Sequence, residues 1–270
     1  MHRALATLHY LRHNEDRTSL WIKREGFPLS NTSNFRQAVQ DAQGKALIGP
    51  NVIAKALPFV GGGLILTALG VYGGIGVLNA YPNLFMPTFW GAIVASLVLF
   101  FVSQGVATKG NNAIALPLLT LYSLVTGYTL TGLITIALST TGVGLPGLGF
   151  AALGCGVAFI AGRQIGSNLS ETDGMALAKT VQMGIIALVV VLLGQLGLTL
   201  FGIYTPSFLE IAISGIGVVL FTGAAVVDFF LLPRTYRDDQ YLAASLSMYL
   251  TYVNLFVFIL RLLISINSRD

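Results

Sequence analysis

The sequence predicts an all-α polytopic membrane protein, a bundle of seven transmembrane helices. The first observation is composition: the 270 residues are 54% hydrophobic and only 10% charged. A soluble domain carries about 25% charged residues, so this chain cannot coat a water-facing surface. The second is where charge is missing. No charged residue lies between Lys55 and Lys109, or between Lys109 and Arg163. The third is length. A span needs about 20 apolar residues to cross about 30 Å of hydrocarbon, so each charge-free block holds two helices. Disorder is excluded by the high apolar content. Collagen is excluded because the 31 glycines have no three-residue period.

Residues 1–50 form a polar cytoplasmic segment broken by Gly26, Pro28, Gly44, Gly49 and Pro50. Their longest apolar run is too short for the core of a secretory signal. The first charge-free block divides at Asn79–Pro82 and Pro87, giving spans at about 52–78 and 87–107. The second divides at Ser139–Pro146, giving spans at about 112–138 and 145–162. A polar loop with Arg163, Glu171, Asp173 and Lys179 precedes span 5, at about 181–203. Span 6, at about 208–232, is expected to stop at Pro233, and span 7 covers about 241–264. The membrane domain is therefore 51–264, followed by a short tail, 265–270.

Orientation follows the Lys/Arg distribution. Seven of the fifteen cations precede residue 51, and Lys109, Arg163, Lys179, Arg234 and Arg237 fall on the same side. The opposite loops, 79–86, 139–144 and 204–207, carry none; Arg261 and Arg269 dissent. The N-terminus is expected in the cytoplasm. The C-terminus is expected outside, unless the last segment is re-entrant.

Other chemistries find little support. A nucleic-acid partner would need a basic stripe interleaved with aromatics, but the N-terminal cations are mixed with Glu15, Asp16, Glu25 and Asp41. The lone Cys155 excludes an internal disulfide and a multi-cysteine zinc cage. His9 and His13 share a helical spacing, but with only His2 besides them no metal site is predicted. Gly142-Val-Gly144-Leu-Pro-Gly147 matches a dinucleotide pattern, yet it joins two spans and reads as a tight turn. No cofactor is predicted. With no large soluble domain, and no paired-aspartate or serine–histidine constellation, an enzyme is not expected. Gly154, Ala158, Gly162 and Gly166 form a small-residue ladder, and Gly70 and Gly74 a second. Both are expected to let helices pack closely inside the bundle.

Two carboxylates remain in the spans. Glu210 lies at the outer end of span 6, where Arg261 is placed to pair with it. Asp228 lies inside span 6, five residues before Pro233, about 7 Å deep at 1.5 Å per residue. Inserting an aspartate costs a few kcal/mol, and such residues usually face a cavity or partner. Asp228 is read as a proton-titrating or cation-binding group, or else as a structural hydrogen bond. In span 7, Ser247, Thr251, Asn254, Phe258 and Arg261 share one helix face, which lipid would reject and which therefore turns inward.

The segment Leu246-Ser-Met-Tyr-Leu-Thr-Tyr-Val-Asn-Leu-Phe-Val-Phe-Ile-Leu-Arg-Leu-Leu263 resembles the closing signature of the Bax inhibitor-1 (transmembrane Bax-inhibitor-motif) family, roughly L-S-L-Y-L-D-x-x-N-L-F-x-x-L-L-R. Asp228 sits where that family carries an aspartate, and Tyr122–Leu130 is similar to its third span. The resemblance implies a bundle of Bax-inhibitor type, its last helix wrapped by six others. It also implies a pH-sensitive calcium leak, and protection from stress or cell death. Some bacterial members are linked to membrane quality-control proteases. The family's leak uses two facing aspartates that share a proton. Asp228 matches the first, but Thr251 stands where the second is expected.

A lone carboxylate has none of the coupling of a shared-proton pair. Calcium takes six to eight oxygens with several charges, whereas Asp228, Thr251 and Asn254 offer one. Lys109, on the same side, is the candidate counter-ion of Asp228. Two readings follow. One is a cation leak, of calcium or protons, gated by Asp228. The other is a non-conducting factor that binds other membrane proteins, assisting assembly or modulating a quality-control protease. The expected location is a bacterial-type inner membrane or an internal membrane, with the lipid bilayer as partner.

Overall fold

The computed structural model describes residues 47–268. The expectations for 1–46 and 269–270 lie outside the described residues. Among the described residues there are seven helices, all long and apolar enough to span a membrane. They are α1 (Val52–Ala80), α2 (Pro82–Ala107), α3 (Asn112–Ser139), α4 (Gly144–Gly166), α5 (Glu171–Leu200), α6 (Ser207–Thr235) and α7 (Tyr241–Asn267).

Several helices outrun the predicted spans. α2 starts at Pro82 rather than at 87, and Pro87 lies inside it. Pro58, Pro87 and Pro117 each fall in the first two turns of their helices. There the missing N–H would have bonded a carbonyl of the helix's opening turn, so the fault lies near a solvated end. Pro233 likewise lies within the last turn of α6 and does not stop it. α5 starts ten residues before its predicted span, capped by Ser170, whose hydroxyl accepts from the Asp173 N–H at 3.1 Å. Glu171 and Asp173, read as loop, are the acidic first turn of that helix.

α7 is the hub. It packs against α1, α2, α3, α4 and α6, while α5 lies outside and packs chiefly against α6. Five close neighbours thus surround the last helix, rather than the six implied by the resemblance. α7 is continuous, and its final residue Asn267 abuts Gly142 in the α3–α4 turn. It therefore crosses the whole bundle and does not re-enter. That turn uses positive φ at Gly142 and Gly144, +80° and +52°, which glycine adopts without strain.

Both glycine ladders pack internally. Gly162 and Gly166 lie against the backbone of α6, at Ala225 and Val226, and Gly154 meets Ile259 of α7. Gly70 and Gly127 bring the backbones of α1 and α3 together. At this crossing Thr67 also meets Tyr249 of α7. The threonine hydroxyl donates to the Gly63 carbonyl at 2.8 Å, so the Tyr249 hydroxyl, 2.5 Å away, donates to it.

Candidate functional site

The last two helices build the site. α6 runs on to Thr235, so Asp228 lies about 10 Å from its end. The residue is 7% exposed. Ser247 of α7 donates to Oδ1 at 3.1 Å. Thr251, one turn further and also buried, lies beside the same carboxyl without meeting it in hydrogen-bond geometry. Oδ2 has no hydrogen-bond partner among the described residues.

Two expected partners are not brought to Asp228. Lys109 is exposed in the turn after α2 and makes no ion pair among the described residues. Its neighbours Thr108 and Asn112 bond the loop between α6 and α7, at Gln240 and Asp239. Asn254 donates to the Leu250 carbonyl at 2.9 Å, one turn back on its own helix. Ser247, which the sequence offered only as part of a stripe, is the residue that bonds the carboxylate. Its signal was its place one turn before Thr251 on the inward face.

At the other end of α6, Arg261 and Glu210 do meet. Nη2 donates to Oε2 at 2.8 Å, with both side chains about three-quarters buried. Gln195 of α5 donates to Glu210 Oε1 at 2.8 Å and to Thr205 at 3.1 Å. The network ties α5, α6 and α7 together at this end, and Arg261 also lies over the Phe258 ring.

The Lys/Arg-bearing end, the basic end of the bundle, is closed by the 236–240 loop. Asp238 accepts from the Asn51 backbone at 2.9 Å and its side chain at 3.1 Å, and pairs with Lys55 at 3.8 Å. Asn112 donates to the Asp239 carbonyl at 2.9 Å, and Gln240 bonds the Thr108 carbonyl. Gln104 of α2 donates to the Tyr236 hydroxyl at 2.8 Å. One loop thus holds the ends of three other helices. Sequence reasoning missed these contacts, because no local pattern links residue 51 to residue 238.

A cavity of about 320 Å³ lies among α1, α3, α4 and α7, lined by Leu64, Thr67, Ile134, Tyr252 and Phe256 among others. No charged side chain lines it. Among the described residues no three metal-ligating side chains cluster. The seam places one carboxylate, bonded at one oxygen by a hydroxyl, inside the bundle, and one charge is fewer than a calcium cage uses.

A seven-helix, integral multi-pass membrane protein with one carboxylate buried between its last two helices is the class this geometry defines. Residues 49–269 match the family described as "Inhibitor of apoptosis-promoting Bax1". The chain belongs to the Bax inhibitor family. It is 30% identical to an uncharacterized membrane protein of Streptococcus pyogenes serotype M6, over 64% of this chain and 73% of the relative. It is 29% identical to an uncharacterized protein of Campylobacter jejuni, over 76% and 84%. A shorter stretch, 25% of this chain and 26% of the relative, is 30% identical to Bax inhibitor 1 of Schizosaccharomyces pombe.

Proposed function

We propose that the protein is a pH-sensitive cation leak in which Asp228 is the titrating gate. The observation that carries this reading is the carboxylate itself. It is buried in the α6–α7 seam, bonded at one oxygen by Ser247 and unpartnered at the other among the described residues. A charge in a low-dielectric seam interacts strongly with everything around it, so gaining or losing a proton biases how α6 meets α7. With Thr251 opposite, the site titrates as a single group and not as a coupled pair. One negative charge supports cation passage rather than calcium selectivity.

Reconstitution into liposomes tests this. Wild-type protein should pass cations at a rate that depends on pH. Asp228→Asn keeps size and hydrogen bonding, so it should fold and conduct without that dependence. Wild-type protein that passes no ion at any pH refutes the leak. It would favour the second reading, a non-conducting factor that binds membrane proteins, which Thr251 in place of a second carboxylate supports. Copurification in mild detergent would then identify the partner.

The basic end of the bundle is assigned to the cytoplasm by the Lys/Arg asymmetry. A cysteine placed at Tyr81 or Thr140 should react with an impermeant thiol reagent from outside, and one at Lys109 or Arg237 should not. Labelling of both sets from one side overturns this orientation.

A further inference from the structure

The cavity of about 320 Å³ among α1, α3, α4 and α7 lies apart from the α6–α7 seam, and neither Asp228 nor Ser247 lines it. α1 and α4 scarcely touch each other, and both pack on α7. They leave a gap whose floor is the hub helix, at Tyr252 and Val253, with Ile134 of α3 beside it. Ile134 and Val253 are only 6% and 7% exposed. The exposed lining residues are two alanines, Ala68 of α1 and Ala152 of α4. The mouth therefore lies between α1 and α4. The surface on either side of it is apolar and exposed, at Ile65 and Leu69 of α1 and at Phe150 and Leu153 of α4. In a membrane-spanning bundle that surface faces lipid, so the cavity is continuous with the lipid interface.

The chemistry of the lining limits what can enter. Water needs two to four polar partners in such a space, and the two hydroxyls on the wall are already engaged. Thr67 donates to the Gly63 carbonyl at 2.8 Å and meets the Tyr249 hydroxyl. Tyr252 donates to the Ala152 carbonyl at 3.3 Å. A helix of another protein, about 10–12 Å across with its side chains, is too wide for the space. An empty cavity would leave the wall atoms without contacts on one side. An acyl chain fits all three constraints. It is narrow and apolar, and it is always present at the mouth. At roughly 30 Å³ for a group the size of a water molecule, the cavity takes about ten methylenes, a long stretch of one chain. A chain moving in from lipid gains nothing from the hydrophobic effect. What holds it is dispersion contact with a wall that surrounds it more closely than neighbouring chains do.

The position of the cavity selects the leaflet. Leu148, on its lining, is in the second turn of α4, at the end of the bundle that carries Glu210. Leu64, also on the lining, is near the middle of α1. The cavity thus runs from the Glu210 end to about half depth, the reach of a chain whose headgroup sits at that end.

We propose that this cavity is a binding site for one acyl chain of a membrane phospholipid, drawn from the leaflet at the Glu210 end. The chain enters between Ala68 and Ala152 and lies along the α1, α3 and α4 faces of the hub helix. The small side chains at the mouth keep it open. The site is independent of the leak, because it uses none of the residues of the Asp228 seam.

The test is photolabelling of the full chain in phosphatidylcholine nanodiscs. The probe is phosphatidylcholine with a diazirine on one acyl chain, and labelled residues are read by mass spectrometry. Wild-type protein should be labelled at Ile134 and Val253, which surface lipid barely reaches. A diazirine near the ester should label Leu148, and one at the chain terminus should label Leu64. Ala68→Phe and Ala152→Phe each put a ring in the mouth at a lipid-facing position. Either should abolish labelling of Ile134 and Val253 while leaving that of Leu193, exposed on the distant α5, unchanged. Wild-type protein without label at Ile134 and Val253 overturns the site. Label that persists there in both variants overturns it too, because the chain does not then use this mouth. The reverse order of Leu148 and Leu64 overturns the assignment to that leaflet.

Discussion

Gly127→Ala should be among the most damaging single-methyl changes in the bundle. A Cβ at Gly127 would lie 2.8 Å from the Thr67 carbonyl carbon and 2.9 Å from its Cα, and nearer still to the carbonyl oxygen. All three are backbone atoms of α1, so no side chain can swing aside. Ordinary contact begins at 3.4 Å, and clearing the carbonyl oxygen requires the two helices to part by roughly 1–1.5 Å. A gap of that size forfeits at least a quarter to a half of each dispersion contact along the crossing. Overpacking alone costs about 1–3 kcal/mol. With backbone on the far side the upper end applies, so we expect a loss of about 3 kcal/mol, or roughly a hundredfold in the folded ratio. The assay is reversible unfolding in mixed micelles, followed by helical content. Gly132→Ala on the same helix is the control, because nothing lies within 4 Å of its added methyl. It should be neutral or stabilising by up to about 1 kcal/mol, from alanine's better helix propensity. If Gly127→Ala proves as stable as Gly132→Ala, the close α1–α3 crossing is wrong.

Other outcomes follow from the site and its surroundings. Thr251→Asp should create a coupled carboxyl pair with Asp228, giving a steeper pH response of flux and lower stability at high pH. An unchanged flux profile would mean that the two side chains do not face each other. Arg261→Ala strands Glu210 and should cost about 1–2 kcal/mol, between the surface and buried extremes for ion pairs. The double variant Arg261→Ala/Glu210→Gln should recover part of this in the same micelle assay. At the basic end, hydrogen bonds from Arg237 hold the Asp239 carboxyl below the usual carboxylate range. A depressed folded value stabilises above the unfolded value, near pH 4, and that contribution is lost as pH falls through the folded one. Arg237→Ala should therefore lower stability slightly above about pH 4 and make no difference in stronger acid. Both side chains are exposed, so the difference should be small.

The membrane class and the existence of seven spans were legible because charge cannot enter hydrocarbon without cost, and its absence over two long blocks is a one-dimensional signal. Helix ends were less legible for the same reason. Counting charges finds where lipid stops, whereas α5 continues to Glu171 in water. The Ser170-Glu-Thr-Asp173 cap marked that start. Prolines misled at 87 and 233, because they break helix interiors and are tolerated near ends. Asp228 stood out as a lone buried carboxylate, and the inward stripe of α7 held Ser247 and Thr251. Sidedness alone points to Lys109, which the structure leaves exposed in the turn after α2. The Gln104–Tyr236 and Thr67–Tyr249 contacts join residues far apart in sequence, and no periodicity within one helix encodes them.

The hub helix is synthesised after the five it packs against. While the ribosome is still making residues 1–240, Ser245, Ser247 and Tyr249 do not yet exist. Thr67, Glu210 and Asp228 must wait in lipid without their α7 partners. Most multi-element proteins can begin settling from the N-terminus as they emerge. Here the early helices can only insert and wait, and the bundle closes when α7 arrives. A nascent chain stalled before α7 should therefore present unsatisfied polar faces within the bilayer, the kind of intermediate that membrane chaperones and proteases are equipped to recognise.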